Sequence, residues 1–384
     1  MDKQITTSLP TETVFVDGGI YFDSLIKDIE QAKDSITLET YIFQRDSLGK
    51  KMAEALANAA NRGVKVRVMV DGAGTPFWST QFARTLERAG ATTKVFYPFP
   101  WQLWNWSRSV IRASILTSWL HLLLRINSRN HRKICLIDHR IGYVGSMNIS
   151  KCHLSSVLGG DNWRDTSVRI EGADLSDLYR AFELAWDHLP ITERVREAFR
   201  HVRRNPMVRS NHTRHRRRIL YKNLLRKMLT CRQHIWITNA YFVPDNFLLR
   251  RLQEAAKAGV DVRILLPKKS DVAMMPWAST AFYFNLLKAG VRIFEYMPGI
   301  LHAKTLLLDD WALIGSSNLN HRSLLHDLEV DVLLSQPESI QILQKQFLID
   351  LQNSREISLA RWHILRPRYQ RWLGRLLLYA KYWI

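Results

Sequence analysis

The sequence predicts an α/β protein of two tandem β-α-β sandwich domains, each a central mixed sheet flanked by helices. The chain has 384 residues, more than one ordinary domain needs, and 46% of them are hydrophobic, which is enough for two cores. A long internal repeat divides it, and each copy alternates apolar, β-branched runs with amphipathic helical segments. Such alternation is typical of β-α-β units with parallel strands. We therefore expect two similar halves with mostly parallel strands and helices outside the sheets.

Each copy of the repeat opens with the same series of elements. Residues 33–70 and residues 232–266 each contain a strand, a loop, an amphipathic helix and a second strand. Gly63 and Gly259 follow the helices, where a C-cap favours a residue in the left-handed conformation. A further helix and strand then follow in both copies.

The first copy carries an insertion. Early in the repeat the copies are offset by 200 positions, so that Tyr41 matches Tyr241, whereas His131 and His302 lie only 171 positions apart. About 29 extra residues must therefore lie before His131, at about 99–130. A simple duplication does not need this segment, so we expect it to serve function.

Both copies end in an H-x-K-x4-D motif followed by G-S-x-N. The motif residues are His131, Lys133, Asp138, Ser146 and Asn148 in the first copy, and His302, Lys304, Asp309, Ser316 and Asn318 in the second. Alternation along a strand puts the histidine and lysine of each motif on one face. A neutral imidazole can act as nucleophile or general acid/base, while an ammonium and an amide can bind phosphate oxygens. The duplication at one spacing predicts a phosphodiester-transfer site.

These paired motifs resemble the phospholipase D superfamily over nearly the whole chain, and most closely the bacterial cardiolipin synthases of the short type, which lack N-terminal transmembrane helices. The resemblance implies that both motifs form one active site at a pseudo-twofold interface. It implies that one histidine attacks phosphorus to give a phosphohistidine, while the other protonates the leaving alcohol and deprotonates the acceptor. No metal and no cofactor are expected. Family precedent favours His131 as nucleophile, although the sequence itself does not decide.

The resemblance also implies one acid downstream of each motif that hydrogen-bonds a histidine Nδ1 and fixes its tautomer. Glu329 fits this position in the second copy and Asp165 in the first. The aspartates Asp138 and Asp309 complete the catalytic motifs, and we assign them mainly to supporting the architecture, at the far end of a strand from the histidines. Six residues separate Asp138 from the following motif glycine but five separate Asp309 from its counterpart, so the two loops should differ.

Composition and charge indicate an anionic partner. The chain has 55 Lys and Arg against 35 Asp and Glu, a net charge of +20, and 13 tryptophans. Tryptophan favours membrane interfaces but also stacks on bases, so composition leaves both lipid and nucleic acid open. The insertion contains no acid, and Ile111, Ile115, Trp119 and Leu122 or Leu123 form a helical stripe. That helix could pack on the protein or lie on a bilayer surface, and its place before His131 favours the bilayer.

The predicted domain boundaries follow from these segments. They are a first domain at 1–195, a basic linker at 196–218, a second domain at 219–352 and a basic aromatic tail at 353–384. The tail could equally dock on the fold or anchor it to a membrane. The linker could hold lipid headgroups, bind another polyanion or face solvent.

Cysteine usage and hydropathy bear on location. The three cysteines fall at no metal-ligand spacing and cannot all pair, so we expect reduced thiols and no structural zinc. The N-terminus lacks the pattern of a signal peptide, and the longest apolar run, at 110–126, is interrupted by an arginine and a histidine. We expect a peripheral protein on the cytoplasmic face of the cell (inner) membrane.

The sequence therefore predicts a phosphatidyltransferase that makes cardiolipin from phosphatidylglycerol and releases glycerol. Its expected partners are an anionic phospholipid membrane and phospholipid substrates; nucleic acid is the less favoured partner, and the oligomeric state stays open. The alternatives are a phospholipase that uses water, a phosphodiesterase acting on nucleic acid, and a membrane-binding protein with an inactive site. The Trp-rich insertion disfavours the second alternative, and intact motifs in both copies disfavour the third.

Overall fold

The computed structural model of the protein describes residues 10–111, 119–120, 122–123, 125–187, 196, 207–365 and 368–380. The strands of the first half are β1 (Thr11–Phe15), β2 (Ser35–Thr40), β3 (Lys65–Asp71), β4 (Thr92–Phe96), β5 (Ile134–Ile137), β6 (Ile141–Gly145) and β7 (Ser167–Glu171). Its helices are α1 (Gly18–Gln31), α2 (Ser47–Asn61), α3 (Arg84–Arg88), α4 (Leu103–Trp106) and α5 (Ser176–Trp186), with a π-helical turn at Ser79–Ala83 and 3-10 turns at Lys151–His153 and Ser156–Leu158.

The second half repeats this series. Its strands are β8 (Val208–Ser210), β9 (His234–Thr238), β10 (Asp261–Lys269), β11 (Arg292–Ile300), β12 (Thr305–Leu308), β13 (Trp311–Gly315), β14 (Val330–Leu334) and β15 (Ser354–Ile357). Its helices are α6 (Arg214–Thr230), α7 (Asn246–Lys257), α8 (Met275–Thr280), α9 (Tyr283–Lys288), α10 (His321–Leu325), α11 (Pro337–Gln352), α12 (Trp362–Leu365) and α13 (Arg368–Leu377), followed by a 3-10 turn at Leu378–Ala380.

The two sheets have one topology, which confirms the predicted duplication. The strand order is β1-β7-β6-β5-β2-β3-β4 in the first sheet and β8-β14-β13-β12-β9-β10-β11-β15 in the second. The strands β2, β3 and β4 run parallel to one another, and so do their counterparts β9, β10 and β11. The other strand pairs among the described residues are antiparallel, so the sheets are mixed. The predicted left-handed glycines are also confirmed, with φ of +90° at Gly63 and +87° at Gly259.

Two of the predicted domain boundaries need correction. The strand β8 lies inside the predicted linker 196–218, yet it pairs with β14 at the edge of the second sheet, as β1 pairs with β7 in the first. The strand β15 lies inside the predicted tail 353–384 and pairs with β11. Strands of three and four residues are too short to show alternation, and their sequences are dominated by neighbouring charge.

The two sheets pack against each other face to face. Ile134 and Val144 from the first sheet join Leu307 and Ile314 from the second in one buried cluster, which crosses the boundary between the halves. Separate cores lie on the outer faces, beneath the helices of each half. Burying the inner faces therefore fixes how the motif ends of the two sheets meet.

The insertion folds partly onto the first half, which corrects the predicted single stripe. Ile111 and Leu122 are buried, whereas Trp119 and Leu123 are exposed, so the stripe does not share one face from Ile111 onward; Ile115 lies outside the described residues. Its basic residues are also not all free to face a membrane. Arg108 forms a bidentate ion pair with Glu87, at 2.7 and 2.6 Å.

No helix in the part of the chain that the structure describes is both long and apolar enough to cross a bilayer.

Candidate active site

The two histidine motifs meet at the interface between the halves. His131 and Lys133 lie just before β5, and His302 just before β12, so the motifs precede the strands on which the sequence placed them. The backbone N–H of His131 donates to the carbonyl of Leu328 at 2.9 Å, in the second half. The N–H of His302 donates to the carbonyl of Arg164 at 2.8 Å, in the first half. Each motif is thus held by the segment that carries the other half's acid.

Each histidine is paired with a carboxylate from the opposite half. Nδ1 of His131 lies 3.1 Å from both carboxylate oxygens of Glu329. Nδ1 of His302 lies 2.8 Å from Oδ2 of Asp165. Both predicted acids therefore bond a histidine Nδ1, and the structure adds that the pairing crosses between the halves. Because Nδ1 is engaged, Nε2 is the ring nitrogen left for chemistry.

The motif serines lie behind the carboxylates. The hydroxyl of Ser146 donates to Oδ1 of Asp165, which also accepts from the backbone N–H of Thr166 at 2.8 Å. The hydroxyl of Ser316 donates to Oε2 of Glu329 at 2.5 Å. For these serines the geometry favours orienting the acids over binding phosphate.

The glycine before each motif serine permits a close strand contact. A Cβ at Gly145 would lie 2.0 Å from the hydroxyl of Ser167 on β7. A Cβ at Gly315 would lie 2.2 Å from Oδ1 of Asp331 on β14. Any side chain here would push β6 or β13 away from the strand that leads from the acid, and would displace the motif serine as well.

The two lysines are buried beside the histidines, and each stands over a tyrosine ring. Nζ of Lys133 donates to the carbonyl of His131 at 2.6 Å, and Nζ of Lys304 to that of His302 at 2.5 Å. The same Nζ atoms lie 5.3 Å above the ring of Tyr41 and 6.0 Å from that of Tyr241. The sequence reasoning assigned no role to these tyrosines, although the repeat aligned them with each other.

The motif asparagines lie at the same buried level. The side-chain oxygen of Asn148 accepts from the backbone N–H of Ile42 at 3.2 Å, which leaves its NH₂ group to donate elsewhere. The side-chain oxygen of Asn318 has no hydrogen-bond partner among the residues described. The asparagines therefore differ between the halves in how firmly they are held.

The charges of the site are unequal in the two halves. Burial lowers the pKa of His131 well below its ordinary value, and the charges of Lys133 and Lys304 lower it further. Burial also raises the pKa of its partner Glu329 to about 7. Burial acts in the same direction on Asp165, but the charge of His302 and the hydrogen bond to it outweigh this and hold the pKa of Asp165 well below its ordinary range. His131 is therefore neutral, while His302 faces a firmly ionised carboxylate.

Both motif lysines are buried, which disfavours their charged forms. Burial lowers the pKa of Lys133 to about 7, and the nearby Lys304 adds to this effect. Burial likewise lowers the pKa of Lys304. An anionic phosphate between them would restore the charged forms, since an opposite charge at short range favours ionisation.

A third histidine, which the sequence reasoning missed, lies behind Asp165. Nε2 of His153 accepts from the backbone N–H of Asn148 at 3.1 Å, and its Nδ1 lies 3.4 Å from Oδ2 of Asp165. Its ring centre is 6.1 Å from that of His302. The repeat marks this position, because the residue five positions after each motif asparagine is His153 in one half and Ser323 in the other, but it gives no sign of the contact with Asp165.

The motif aspartates lie outside the site. Asp138 accepts hydrogen bonds from the backbone N–H groups of residues 33–35, at 2.8 to 2.9 Å, where β2 begins. Asp309 accepts from residues 232–234 in the same way, at 2.8 to 3.0 Å, where β9 begins. Both follow strands that start beside the histidines and so mark the opposite edge of each sheet. Their inclusion with the catalytic residues is corrected: they tie strands together, as the architectural assignment expected.

The turns after these aspartates differ, as the spacing predicted. Asp138 and His139 both have positive φ, of 51° and 52°, whereas only Asp309 does in the shorter second turn, at 54°. The extra residue is taken up within the turn, so the strands on either side keep equivalent positions.

The sequence of the chain is similar to known proteins of one family. A sequence model of the family described as "Cardiolipin synthase, PLD-like domain" matches residues 25–186 and 224–351. The chain is 30% identical over 365 residues to the cardiolipin synthase of Listeria monocytogenes serotype 4b (strain CLIP80459), an alignment that covers 93% of this chain and 72% of the relative. It is 33% identical over 361 residues to the cardiolipin synthase of Staphylococcus aureus strain Mu50, covering 91% of this chain and 69% of the relative.

The fold is also similar to solved structures. The crystal structure of phosphatidylserine synthase from Haemophilus influenzae Rd KW20 matches with a TM-score of 0.67 at 13% identity, covering 96% of this chain and 92% of that one. Polyphosphate kinase from Porphyromonas gingivalis matches with a TM-score of 0.59 at 14% identity, covering 97% of this chain and 56% of that one. At such identities the likeness establishes the fold alone.

Proposed function

Since the chain belongs to the family described as "Cardiolipin synthase, PLD-like domain", we propose that it is a phosphatidyltransferase. It makes cardiolipin from two phosphatidylglycerol molecules and releases glycerol. One observation carries the mechanism: two histidines at one interface are each held through Nδ1 by a carboxylate of the opposite half. This leaves two Nε2 atoms for two complementary tasks.

In the first step, His131 is the nucleophile. Its Nε2 lone pair attacks the phosphorus of phosphatidylglycerol, because the lowered pKa of His131 keeps the ring neutral at neutral pH. The P–O bond to the glycerol headgroup breaks as the P–N bond forms. His302, held through Nδ1 by ionised Asp165, donates its Nε2 proton to the leaving oxygen. Glycerol leaves, and the phosphatidyl group stays on His131.

In the second step, a second phosphatidylglycerol is the acceptor. Its free hydroxyl gives its proton to the now neutral Nε2 of His302, and its oxygen attacks the same phosphorus. The P–N bond breaks, so that His131 recovers its lone pair and cardiolipin is released. Each histidine thus ends the cycle in the protonation state in which it began. A site that excludes water favours the lipid hydroxyl over hydrolysis.

The lysines and asparagines stabilise the charge that develops on the phosphate. Lys133 and Lys304 each donate one N–H to a histidine carbonyl. Their remaining N–H groups can donate to the non-bridging oxygens of the phosphate. The NH₂ groups of Asn148 and Asn318 add neutral donors. Groups fixed beforehand in a buried site stabilise such charge better than water does.

The insertion supplies one surface that can meet a bilayer. Trp101, Leu103 and Trp104 are exposed apolar side chains at α4, and Phe77 stacks on Trp104 with ring centres 6.1 Å apart. This group follows β3 and β4, whose ends lie at the same edge of the sheet as His131. Exposed aromatic clusters of this kind are typical of membrane-interface contacts.

The C-terminal helix α13 supplies a second surface, in the other half. Gly374 packs against the carbonyl of Trp277 on α8, and Leu377 packs in the cluster that contains Tyr241, beside His302. On its outer side, Tyr369 and Trp372 are exposed. Both readings that the sequence left open therefore have support: one face of the tail docks on the fold, and the other is available to lipid.

These two surfaces lie beside the two histidine motifs, and so we place the protein on the membrane with the active site facing the bilayer. The relatives of this chain are cardiolipin synthases, and we take phospholipid as the substrate class of this chain. A net charge of +20 favours an anionic leaflet. Peripheral attachment to the cytoplasmic face of the cell membrane fits this charge and the aromatic surfaces.

The direct test of the function is transfer by the purified protein. Vesicles containing phosphatidylglycerol with radiolabelled glycerol headgroups are incubated with the protein, and lipid and aqueous phases are analysed. We expect cardiolipin in the lipid phase and an equimolar release of glycerol. Phosphatidic acid as the sole lipid product would overturn the transferase in favour of a hydrolase. The variants His131→Ala and His302→Ala serve as inactive controls.

The membrane surfaces are tested by vesicle co-sedimentation. Leu103→Ser and Trp372→Ser, at positions 66% and 62% exposed, should each weaken binding to phosphatidylglycerol-rich vesicles several-fold. Leu229→Ser is the matched control, because Leu229 is 53% exposed and lies at the end of α6 near Asp309, at the edge away from the site. Equal loss with the control variant would overturn the proposed orientation.

A further inference from the structure

The position five residues after each motif asparagine bridges that asparagine to an acid of its own half. In the second half, Ser323 accepts from the backbone N–H of Asn318 at 2.9 Å and donates its own hydroxyl hydrogen to Glu329. In the first half the same position holds His153, whose Nε2 accepts from the backbone N–H of Asn148 at 3.1 Å. The pseudo-twofold site thus places an imidazole where its other half has a hydroxyl.

The hydrogen bond to Asn148 fixes the tautomer of His153. A neutral imidazole has one N–H, and an Nε2 that accepts leaves the hydrogen on Nδ1. Nδ1 lies 3.4 Å from Oδ2 of Asp165, an ion-pair distance without hydrogen-bond geometry, and it has no hydrogen-bond partner within the described residues. Burial lowers the pKa of His153 to about 4, so that it is a neutral donor at neutral pH.

Asp165 is consequently surrounded by hydrogen-bond donors and imidazole rings. Its Oδ1 accepts from Ser146 and from the N–H of Thr166, while its Oδ2 faces both His302 at 2.8 Å and His153 at 3.4 Å. Glu329 has no backbone donor among its described contacts. The N–H of the next residue, Val330, donates to Ser316 instead.

We propose that His153 is a positioning residue that acts through Asp165 on His302. By keeping the Nδ1 edge of its ring beside the oxygen that holds His302, it orients the Asp165 carboxylate, and so keeps His302 in place for its task as the general acid. This inference rests on the proposed function, because the task it assigns belongs to the transfer reaction. It accounts for a division of labour between histidines whose motifs are otherwise alike.

The other ionisable groups around Asp165 do not replace this contact. Lys304 and Lys133 are the cations that act on it, and both also face the substrate space. Burial raises the pKa of Cys152 to about 12 and also raises the pKa of Tyr21. Both side chains therefore stay neutral across the working pH range.

The test compares two substitutions at one position. His153→Phe keeps the ring shape but removes both nitrogens, whereas His153→Asn places an amide NH₂ near the position of Nδ1. Both lose the acceptor for Asn148, so only the donor toward Asp165 distinguishes them. In His153→Phe kcat should fall about tenfold with KM little changed, because Asp165 then orients His302 less well. His153→Asn should retain kcat within a few-fold of wild type.

Two outcomes of this comparison would overturn the proposal. One is an unchanged kcat in His153→Phe with folding intact by thermal melting. The other is an equal loss of kcat in both variants, which would indicate a purely structural role.

A second measurement does not depend on activity. In ¹⁵N-histidine spectra of the wild-type protein at pH 7, His153 should be neutral with its hydrogen on Nδ1. Hydrogen on Nε2 would contradict the inference even if the variants failed to fold. Should the wild-type protein form no cardiolipin, the proposed function fails. The effect of His153→Phe on the ¹⁵N titration of His302 would still decide whether His153 acts through Asp165.

Discussion

Nδ1 of His302 lies 2.8 Å from Oδ2 of Asp165, although 137 positions separate the two residues and they belong to opposite halves of the chain. The equivalent contact, between His131 and Glu329, crosses the interface in the other direction. Neither half therefore contains a complete catalytic unit. This crossing explains why the duplication yields one site with two unequal histidines instead of two sites.

The crossed carboxylates should be required for turnover. Asp165→Asn and Glu329→Gln keep the size of the side chain but remove the charge that fixes the histidine tautomer. We expect each to reduce kcat by about 100-fold or more per folded molecule. The measurement is cardiolipin formation in vesicles. Activity within a few-fold of wild type in either variant would remove that carboxylate from the mechanism.

The motif aspartates should behave in the opposite way. Asp138→Asn and Asp309→Asn each weaken a carboxylate that accepts three backbone N–H groups, so the free energy of unfolding should fall by about 1–2 kcal/mol. Turnover per folded molecule should stay near wild type, because both residues lie at the far edge of the sheets. A loss of activity comparable with that of Asp165→Asn, without loss of stability, would return these residues to the chemistry.

Much of the fold and site could be predicted from the sequence because the signals are local and repeated. The spacing of His131 and Lys133 recurs at His302 and Lys304, and a recurrence of that kind identifies equivalent residues without any structure. The roles of Tyr41 and His153 could not be read in this way. Each acts only through a contact formed by tertiary packing, with Lys133 for the tyrosine and with Asp165 for the histidine.

Two predicted domain boundaries were wrong for a related reason. The strand β8 has three residues, of which the central one is an arginine that is buried and stands 5.3 Å from the ring of Trp311. A basic residue in a basic segment gives no sign of burial, because its partner comes from elsewhere in the chain. The spacing of the motifs likewise could not predict which acid pairs with which histidine, since either histidine could have met either acid.

The buried carboxyl of Asp331 should make stability depend on pH. Burial raises its pKa to about 6, above its value in the unfolded chain, so the folded state holds a proton that the unfolded state has lost. Wild-type stability contributed by this group is therefore present at low pH and is lost as the pH rises through about 6. Asp331→Asn cannot ionise, so it should gain about 1 kcal/mol relative to wild type between pH 5 and pH 8.

Thermal melting of both proteins at the two pH values measures this difference. The same change made at Asp310, whose side chain is exposed and whose pKa is lowered by Lys227, should show no gain toward high pH. A constant offset between wild type and Asp331→Asn would show that Asp331 does not titrate in this range.

Chelation should leave the reaction intact. The proposed chemistry uses histidine for the covalent step and lysine for the phosphate charge, so no step passes through a divalent cation. We expect full cardiolipin formation after dialysis against EDTA, measured on vesicles whose binding to the protein is checked in parallel. Inhibition that is reversed by one added cation, with vesicle binding unchanged, would mean that the mechanism is incomplete.

The central claim is that His131 carries the phosphatidyl group between two displacements. Its most direct test is an acid-free quench during turnover with phosphatidylglycerol, followed by proteolysis and mass spectrometry of both histidine-containing peptides. We predict a phosphatidyl adduct on the peptide that contains His131, absent from His131→Ala, and none on the peptide that contains His302. An adduct on His302, or steady cardiolipin formation by His131→Ala, would contradict the account.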